Sequence, residues 1–114
     1  MHELSIAERI IEIADSEIKS RNEAGQVEKV VVKAGRMNAI VPDSLQFHFD
    51  VIKKRYERLT EAVLEIEQLP IVGRCEPCSK DIVLEEPLFI CEECGGPLAA
   101  KSGQELFVSS IVLS

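Results

Sequence analysis

The chain has 114 residues, long enough for one ordinary domain, and its 13 Lys and Arg against 20 Asp and Glu give a formal net charge of −7 at pH 7. This acidic balance argues against a nucleic-acid partner, because proteins bind phosphate backbones through Lys and Arg that displace counterions. No apolar run approaches the ~20 residues that span a bilayer and no signal-peptide pattern is present, so we expect a cytoplasmic protein that is neither exported nor bound to a membrane.

The first third of the chain predicts a helix followed by a strand. Apolar residues recur at helical spacing over residues 4–18, beginning with Leu4, and charged residues lie between them, which predicts an amphipathic helix. Periodicity is lost over residues 20–26, which we interpret as a turn. The valine cluster in residues 27–34 then predicts a strand.

A second helix is expected after Pro42. Asp43 or Ser44 is predicted to be its N-cap, because a short side-chain oxygen can accept a hydrogen bond from an otherwise unpaired N–H group. Its buried face is predicted from residues at helical spacing, namely Leu45, Phe49, Ile52 and Tyr56.

The second half of the chain contains two strand patterns separated by a region of different composition. Residues 62–69 alternate apolar and acidic side chains, and residues 105–113 are again rich in apolar, β-branched side chains. Residues 70–98 lie between them and contain all four cysteines together with several Gly and Pro. We therefore expect an α+β fold, in which residues 1–69 and 99–114 form a three-stranded sheet with two helices and residues 70–98 form an inserted subdomain.

The spacing of the cysteines is that of a zinc ribbon. They form two C-x2-C pairs, Cys75 with Cys78 and Cys91 with Cys94, separated by twelve residues. Each pair can direct two thiolates at one ion from a tight turn, and the two pairs complete a tetrahedral Zn²⁺ site without an open position. Because a subdomain this short rarely folds on an apolar core alone, we expect the metal to be structural.

Other uses of the cysteines stay open at this point. Two disulfides are one alternative, a redox-active thiol pair is a second, and iron in a rubredoxin-like site is a third with the same spacing. Within the insert we expect ribbon arms at residues 82–84 and 88–90, and a positive φ at Gly95 and Gly96.

The second residue is a histidine, which has a particular option for binding metal. In a chain that begins at Met1, the terminal amine, the His2 amide nitrogen and the His2 imidazole can hold one ion in fused chelate rings, a donor set that suits Ni(II) or Cu(II). Glu3 could add a further ligand, although a carboxylate near a helix N-terminus also has a favourable interaction with the helix dipole. The other histidine, His48, lies on or beside the expected buried face of the second helix, and we interpret it as a packing or interface residue and not a metal ligand.

Taken together, these features resemble the HypA/HybF family of hydrogenase maturation factors. The resemblance rests on the start Met1-His2-Glu3-Leu4-Ser5, the helix start Pro42-Asp43-Ser44-Leu45 and the late C-x2-C/C-x2-C ribbon, and it covers essentially the whole chain. It implies a nickel metallochaperone rather than an enzyme, which delivers Ni(II) to the large subunit of [NiFe] hydrogenase and works with a nickel-binding maturation GTPase.

The same resemblance implies roles for individual residues. His2 corresponds to the essential nickel ligand of the family, Glu3 to its neighbour, and the four cysteines to the zinc ligands. Some members have a His after each C-x2-C pair, where this chain has Ser79 and Gly95. We therefore expect an all-sulfur zinc site.

A rival hypothesis is a zinc-ribbon adaptor that docks proteins and has no nickel role. Residues 70–98 hold two basic residues, Arg74 and Lys80, against six acidic ones, which argues against a nucleic-acid ligand but leaves protein docking open. A zinc hydrolase is not expected, because four cysteines leave no open ligand position.

Overall fold

A computed structural model describes residues 2–21 and 24–114, except for the side chain of His2. The helices and strands in chain order are α1 (His2–Ser20), β1 (Val27–Gly35), α2 (Pro42–Ile52), β2 (Val63–Leu69), β3 (Ile71–Cys75), β4 (Lys80–Leu84), β5 (Ala99–Ser102) and β6 (Leu106–Leu113). The strands form two three-stranded sheets, ordered β2-β1-β6 and β4-β3-β5. The predicted α+β class is confirmed. The turn predicted over residues 20–26 lies partly outside the description.

The chain divides into two compact units. The helical unit comprises Met1–Lys33, Ile40–Glu67 and Phe107–Ser114, and the ribbon unit comprises Ala34–Ala39 and Gln68–Leu106. The domain boundaries expected from the sequence stay a prediction. Among the described helices, none has the length and apolar character needed to cross a bilayer.

The core of the helical unit is formed by buried apolar side chains of α1, α2 and the β2-β1-β6 sheet. The buried apolar residues on the two helices are Ala7, Ile10, Ile11, Ala14, Ile18, Leu45, Phe49 and Ile52. They follow the helical spacing read from the sequence, with two exceptions. Leu4 is exposed, and Tyr56 is only partly buried and lies beyond the end of α2.

The predicted N-cap of α2 is wrong. The helix begins at Pro42 with Val41 as its N-cap, and the Val41 side chain forms no capping hydrogen bond. Proline suits the first helical position because its φ is already helical and its missing N–H would have had no partner there. The N–H of Val41 donates a hydrogen bond to the side chain of Glu3, a residue distant in sequence. Asp43 and Ser44 therefore lie inside the first turn.

In the ribbon unit, β3 is the central strand and carries the first zinc-ligand candidate at its end. It pairs antiparallel with β4 from Ile71↔Leu84 to Cys75↔Lys80, and antiparallel with β5 on its other side. The arm predicted at residues 82–84 is confirmed as part of β4.

The arm predicted at residues 88–90 is wrong, since only an isolated bridge joins Ile90 to Pro97. The N–H groups of Leu88 and Ile90 donate to carbonyls two residues earlier, those of Glu86 and Leu88. These tight turns use the groups that a strand ladder would need. The second and third strands of the ribbon sheet are instead β4 and β5.

The segments around Gly35 and Gly103 are held closely together within the ribbon unit. The Gly35 N–H donates to the Glu105 carbonyl at 2.6 Å, and the Met37 N–H donates to the Gly103 carbonyl at 2.8 Å. The Asn38 side-chain amide adds a bond of 2.7 Å to the Glu105 carbonyl. This junction places Ala34–Ala39 in the ribbon unit although these residues precede β3 by more than thirty positions.

Candidate metal sites

The four cysteine sulfurs converge on one point of the ribbon unit. All four Sγ atoms lie within 4.8 Å of one another. The Cys75 and Cys94 sulfurs are 3.6 Å apart, and the Cys78 and Cys91 sulfurs are 4.0 Å apart. A tetrahedral zinc with Zn–S bonds of about 2.3 Å places its sulfurs about 3.8 Å apart. The cluster therefore has the dimensions of a zinc site.

These separations do not fit the disulfide alternative. A disulfide bond is about 2.05 Å long, and all four cysteines are free. The soft, all-sulfur donor set fits zinc, and iron requires the same sulfur arrangement. The cluster is thus consistent with a metal site, and its shape alone does not name the metal.

The two C-x2-C knuckles share one backbone feature. The residue that follows the second cysteine has a left-handed backbone in both, with φ of 53° at Ser79 and 74° at Gly95. In the second knuckle the Gly95 N–H donates to the Cys91 carbonyl at 2.8 Å, which closes the turn. The positive φ predicted at Gly95 is confirmed and that at Gly96 is wrong. The positive φ at Ser79 was not expected from the sequence, although the place of Ser79 after the first pair matches that of Gly95.

The close approach of the sulfurs disfavours thiolates in the absence of a cation. The neighbouring Cys75 thiol, together with burial and the other two cysteines, raises the pKa of Cys78 to about 12. The backbone N–H of Cys94 lowers the pKa of Cys91. A bound divalent cation would supply the positive field that lets all four sulfurs lose their protons.

Packing around the sulfurs keeps part of the site dry. Cys75 and Cys91 are buried against Leu98, while Cys78 is half-buried and Cys94 is exposed. Partly buried apolar side chains complete this small cluster, namely Ile82, Leu84 and Phe89. The ribbon core is too small to hold the fold without a cross-link, which agrees with a structural metal.

Glu3, the second nickel candidate, is a buried carboxylate in the helical unit. Its side chain is 5% exposed, and its Oε2 accepts a hydrogen bond of 3.0 Å from the Val41 N–H. That N–H is the main cause that lowers the pKa of Glu3 to about 2. The ionised side chain thus joins the first turn of α1 to the start of α2. Sequence patterns do not reveal this link, because 38 positions separate the two residues.

The two histidines differ in what the structure describes. Met1 and the side chain of His2 lie outside the described residues, so the predicted nickel chelate does too. The helix α1 nevertheless begins at His2 rather than near Leu4, and the first N–H groups of a helix have no partner within it. His48 is half-buried, and its ring lies edge-on to that of Phe47 with the ring centroids 5.4 Å apart. Across the described side chains, the cysteines form the one metal-ligating cluster, so His48 joins none.

Comparison with known families gives a match over almost the whole chain. A family model described as "Hydrogenase/urease nickel incorporation, metallochaperone, hypA" matches residues 1–113. The hydrogenase maturation factor HypA of Desulfatibacillum aliphaticivorans is 44% identical over 112 residues, which cover 97% of this chain and 85% of the relative. The factor of the same name from Desulfosudis oleivorans is 40% identical over 114 residues, with 99% and 98% covered.

Solved structures show the same fold. The solution structure of the Ni metallochaperone HypA from Helicobacter pylori aligns with a TM-score of 0.70 at 23% identity, covering 99% of this chain and 97% of that one. A second solution structure, of HypA protein, aligns with a TM-score of 0.74 at 23% identity, covering 100% and 97%.

Proposed function

The chain belongs to the HypA family of nickel-incorporation metallochaperones that serve hydrogenase maturation, and from this premise we propose that it binds Ni(II) at its N-terminus and delivers it to the large subunit of a [NiFe] hydrogenase. The observation that carries the proposal is the match of residues 1–113 to this family in a chain whose second residue is histidine. The role is to carry an ion, not to catalyse a reaction.

The proposed nickel donors are the Met1 amine, the His2 amide nitrogen and the His2 imidazole. Nickel prefers nitrogen donors in a square-planar or tetragonal arrangement, which this sequence of groups allows. The start of α1 at His2 supports the proposal, because the amide at a helix start is not used by the helix ladder. Three nitrogens leave at least one position for a replaceable ligand, so a recipient's thiolates can remove the ion stepwise.

Glu3 is the other residue that we propose for the nickel site. The Glu3 Oε2 accepts a hydrogen bond from the N–H of Val41, the N-cap of α2. This contact sets where the Glu3 side chain lies. We infer that Glu3 orients the first turn of α1 for the chelate, and that direct ligation by its carboxylate must share the group with Val41. The negative charge fixed there also favours a cation beside it.

We propose Zn²⁺ as the structural metal of the ribbon, held by Cys75, Cys78, Cys91 and Cys94. The spacing of the sulfurs, within 4.8 Å of one another, fits this ion. When bound, zinc would cross-link the two knuckles and stabilise the four thiolates.

The proposed partners are a nickel-binding maturation GTPase and the hydrogenase large subunit, both met in the cytoplasm. Neither nucleic acid nor membrane has a role in this proposal.

The test is Ni(II) titration by calorimetry on the zinc-loaded full chain, without a tag. We expect one nickel site in the wild type and an affinity at least about tenfold lower in His2→Ala. Loss of a residue that only hydrogen-bonds to a metal ligand already lowers metal affinity by about tenfold or more. The matched control is His48→Ala, which removes the other histidine and should leave the affinity unchanged. Equal affinities of wild type and His2→Ala would overturn the proposal in favour of the zinc-ribbon adaptor without a nickel role.

A further inference from the structure

A groove on the ribbon unit exposes apolar side chains that no described residue covers. It has a volume of about 920 Å³ and lies between β4 and residues 85–93, which follow that strand. Val83, Leu88 and Ile90 line it and are 69%, 63% and 51% exposed. Val83 is the most exposed large apolar residue in the part of the chain that the structure describes. Apolar side chains gathered in a groove are typical of interaction surfaces.

The charges around these apolar residues are almost all negative. Four glutamates line the groove, Glu85, Glu86, Glu92 and Glu93. Its single basic residue is Lys80, which forms an ion pair with Glu93 and so is already partly neutralised. The groove therefore combines exposed apolar side chains with acidic ones, and complementary charge steers and selects a partner at such a surface.

The backbone at the groove also has hydrogen-bonding capacity to offer. In the sheet order β4-β3-β5, β4 is an edge strand that pairs with β3 on one side. The outer side of an edge strand can pair with an extended peptide, whose alternate side chains then enter the neighbouring pockets. The exposed Val83 is the fourth of the five residues of this strand.

We propose that this groove docks an extended segment of a partner protein in which apolar side chains alternate with Lys or Arg. The apolar residues of the segment lie on Val83, Leu88 and Ile90, its basic residues face the glutamates, and its backbone pairs with β4. A second copy of this chain is disfavoured as the occupant, because the net charge of each copy is −7. The inference concerns the ribbon and holds whether or not nickel binds at the N-terminus.

The test uses nuclear magnetic resonance on the zinc-loaded, isotope-labelled full chain. It is titrated with three synthetic peptides of about six residues, a typical strand length. One peptide alternates Val and Lys, one alternates Val and Glu, and one alternates Ser and Lys. We expect the Val/Lys peptide alone to shift the amide signals of β4 and of residues 85–93. Its affinity should fall when salt is raised, because added salt screens exposed charges.

Two groove variants and two matched controls separate the docking site from general effects. Val83→Ser should weaken binding of the Val/Lys peptide at least tenfold, whereas Val63→Ser, at an exposed valine of β2, should not change it. Charge reversal of both Glu85 and Glu86 to Lys should have the same effect as Val83→Ser. The control for the charge is reversal of two exposed glutamates of α1, Glu8 and Glu12.

Three results would overturn the inference. The first is an absence of peptide-induced shifts at the groove, and the second is equal binding by the groove and control variants. The third is a set of groove shifts that depend on protein concentration without peptide, which would assign the surface to a second copy of the chain. None of these results bears on nickel binding, so failure here is distinguishable from failure of the proposed function.

Discussion

Replacement of Gly35 by Ala is expected to destabilise the ribbon unit by steric conflict. A Cβ at this position would lie 2.1 Å from the backbone carbon and oxygen of Gly103 and 2.6 Å from the nitrogen of Gln104. The neighbours are backbone atoms, which cannot rotate away as a side chain would. The backbone at Gly35 has φ −68° and ψ 142°, which any residue can adopt, so the conflict is one of space and not of torsion.

The expected magnitude follows from what must move. An ordinary Cβ contact of 3.4 to 4 Å needs at least 1.3 Å more than the 2.1 Å present. Overpacking of this kind costs about 1 to 3 kcal/mol. The displacement would also strain the hydrogen bonds from Gly35 to Glu105 and from Met37 to Gly103, each worth about 1 kcal/mol. We therefore expect a loss of about 3 to 5 kcal/mol in the free energy of unfolding.

The assay is denaturant unfolding of the zinc-loaded chain, with zinc release followed in the same titration. The matched control is Gly96→Ala, where the nearest atom to an added Cβ is the Cys94 sulfur at 3.4 Å, an acceptable contact. The control should stay within about 0.5 kcal/mol of the wild type. If Gly35→Ala unfolds at the same denaturant concentration as the control, the close approach of the two backbone segments is refuted.

Three further predictions concern the ribbon unit. Ser79→Gly should raise the free energy of unfolding by about 1 kcal/mol and Gly95→Ala should lower it by about as much, because both positions have a positive φ. If the unfolding temperatures of the two variants shift in the same direction, this prediction is contradicted. Cys91→Ser should release the metal and unfold the ribbon unit while leaving most of the helical circular dichroism; retention of stoichiometric zinc would count against four-sulfur ligation. The backbone N–H groups of Glu105 and Gly103 hold the pKa of the Glu105 carboxyl below its usual value, so its contribution to stability is present above the ordinary carboxyl pKa of about 4.3 and is lost as pH falls through the lower folded pKa. Glu105→Gln should therefore destabilise the protein most near neutral pH and progressively less in acid, and a penalty that stays constant across this range in thermal unfolding would contradict the assignment.

Local patterns in the sequence were sufficient for most of the main elements. The periodic apolar residues of α1 and the valines of β1 specify their elements through neighbours in the chain, and the structure places both within two residues of expectation. The cysteine cluster was predictable for the same reason, since each C-x2-C pair is a local turn that can direct two sulfurs at one point.

The predictions that failed depend on contacts between distant residues or on backbone bonds that leave no side-chain signature. Asp43 and Ser44 are residue types that favour an N-cap of α2, but the sequence does not reveal that the Val41 N–H donates to Glu3. Residues 88–90 have strand composition, but local turns use the N–H groups of Leu88 and Ile90. The close approach of Gly35 to Gly103 likewise joins segments far apart in the chain.

The proposed nickel chelate is tested most directly by blocking the terminal amine without changing His2. Ni(II) binding should be measured by calorimetry and visible absorption for the chain that begins at Met1 and for the same chain carrying an extension of several residues. We predict that the extension weakens nickel binding at least about tenfold and changes the absorption spectrum, because one nitrogen donor is lost. Equal affinity and an identical spectrum in the two chains would show that the amine is not a ligand and would contradict the chelate.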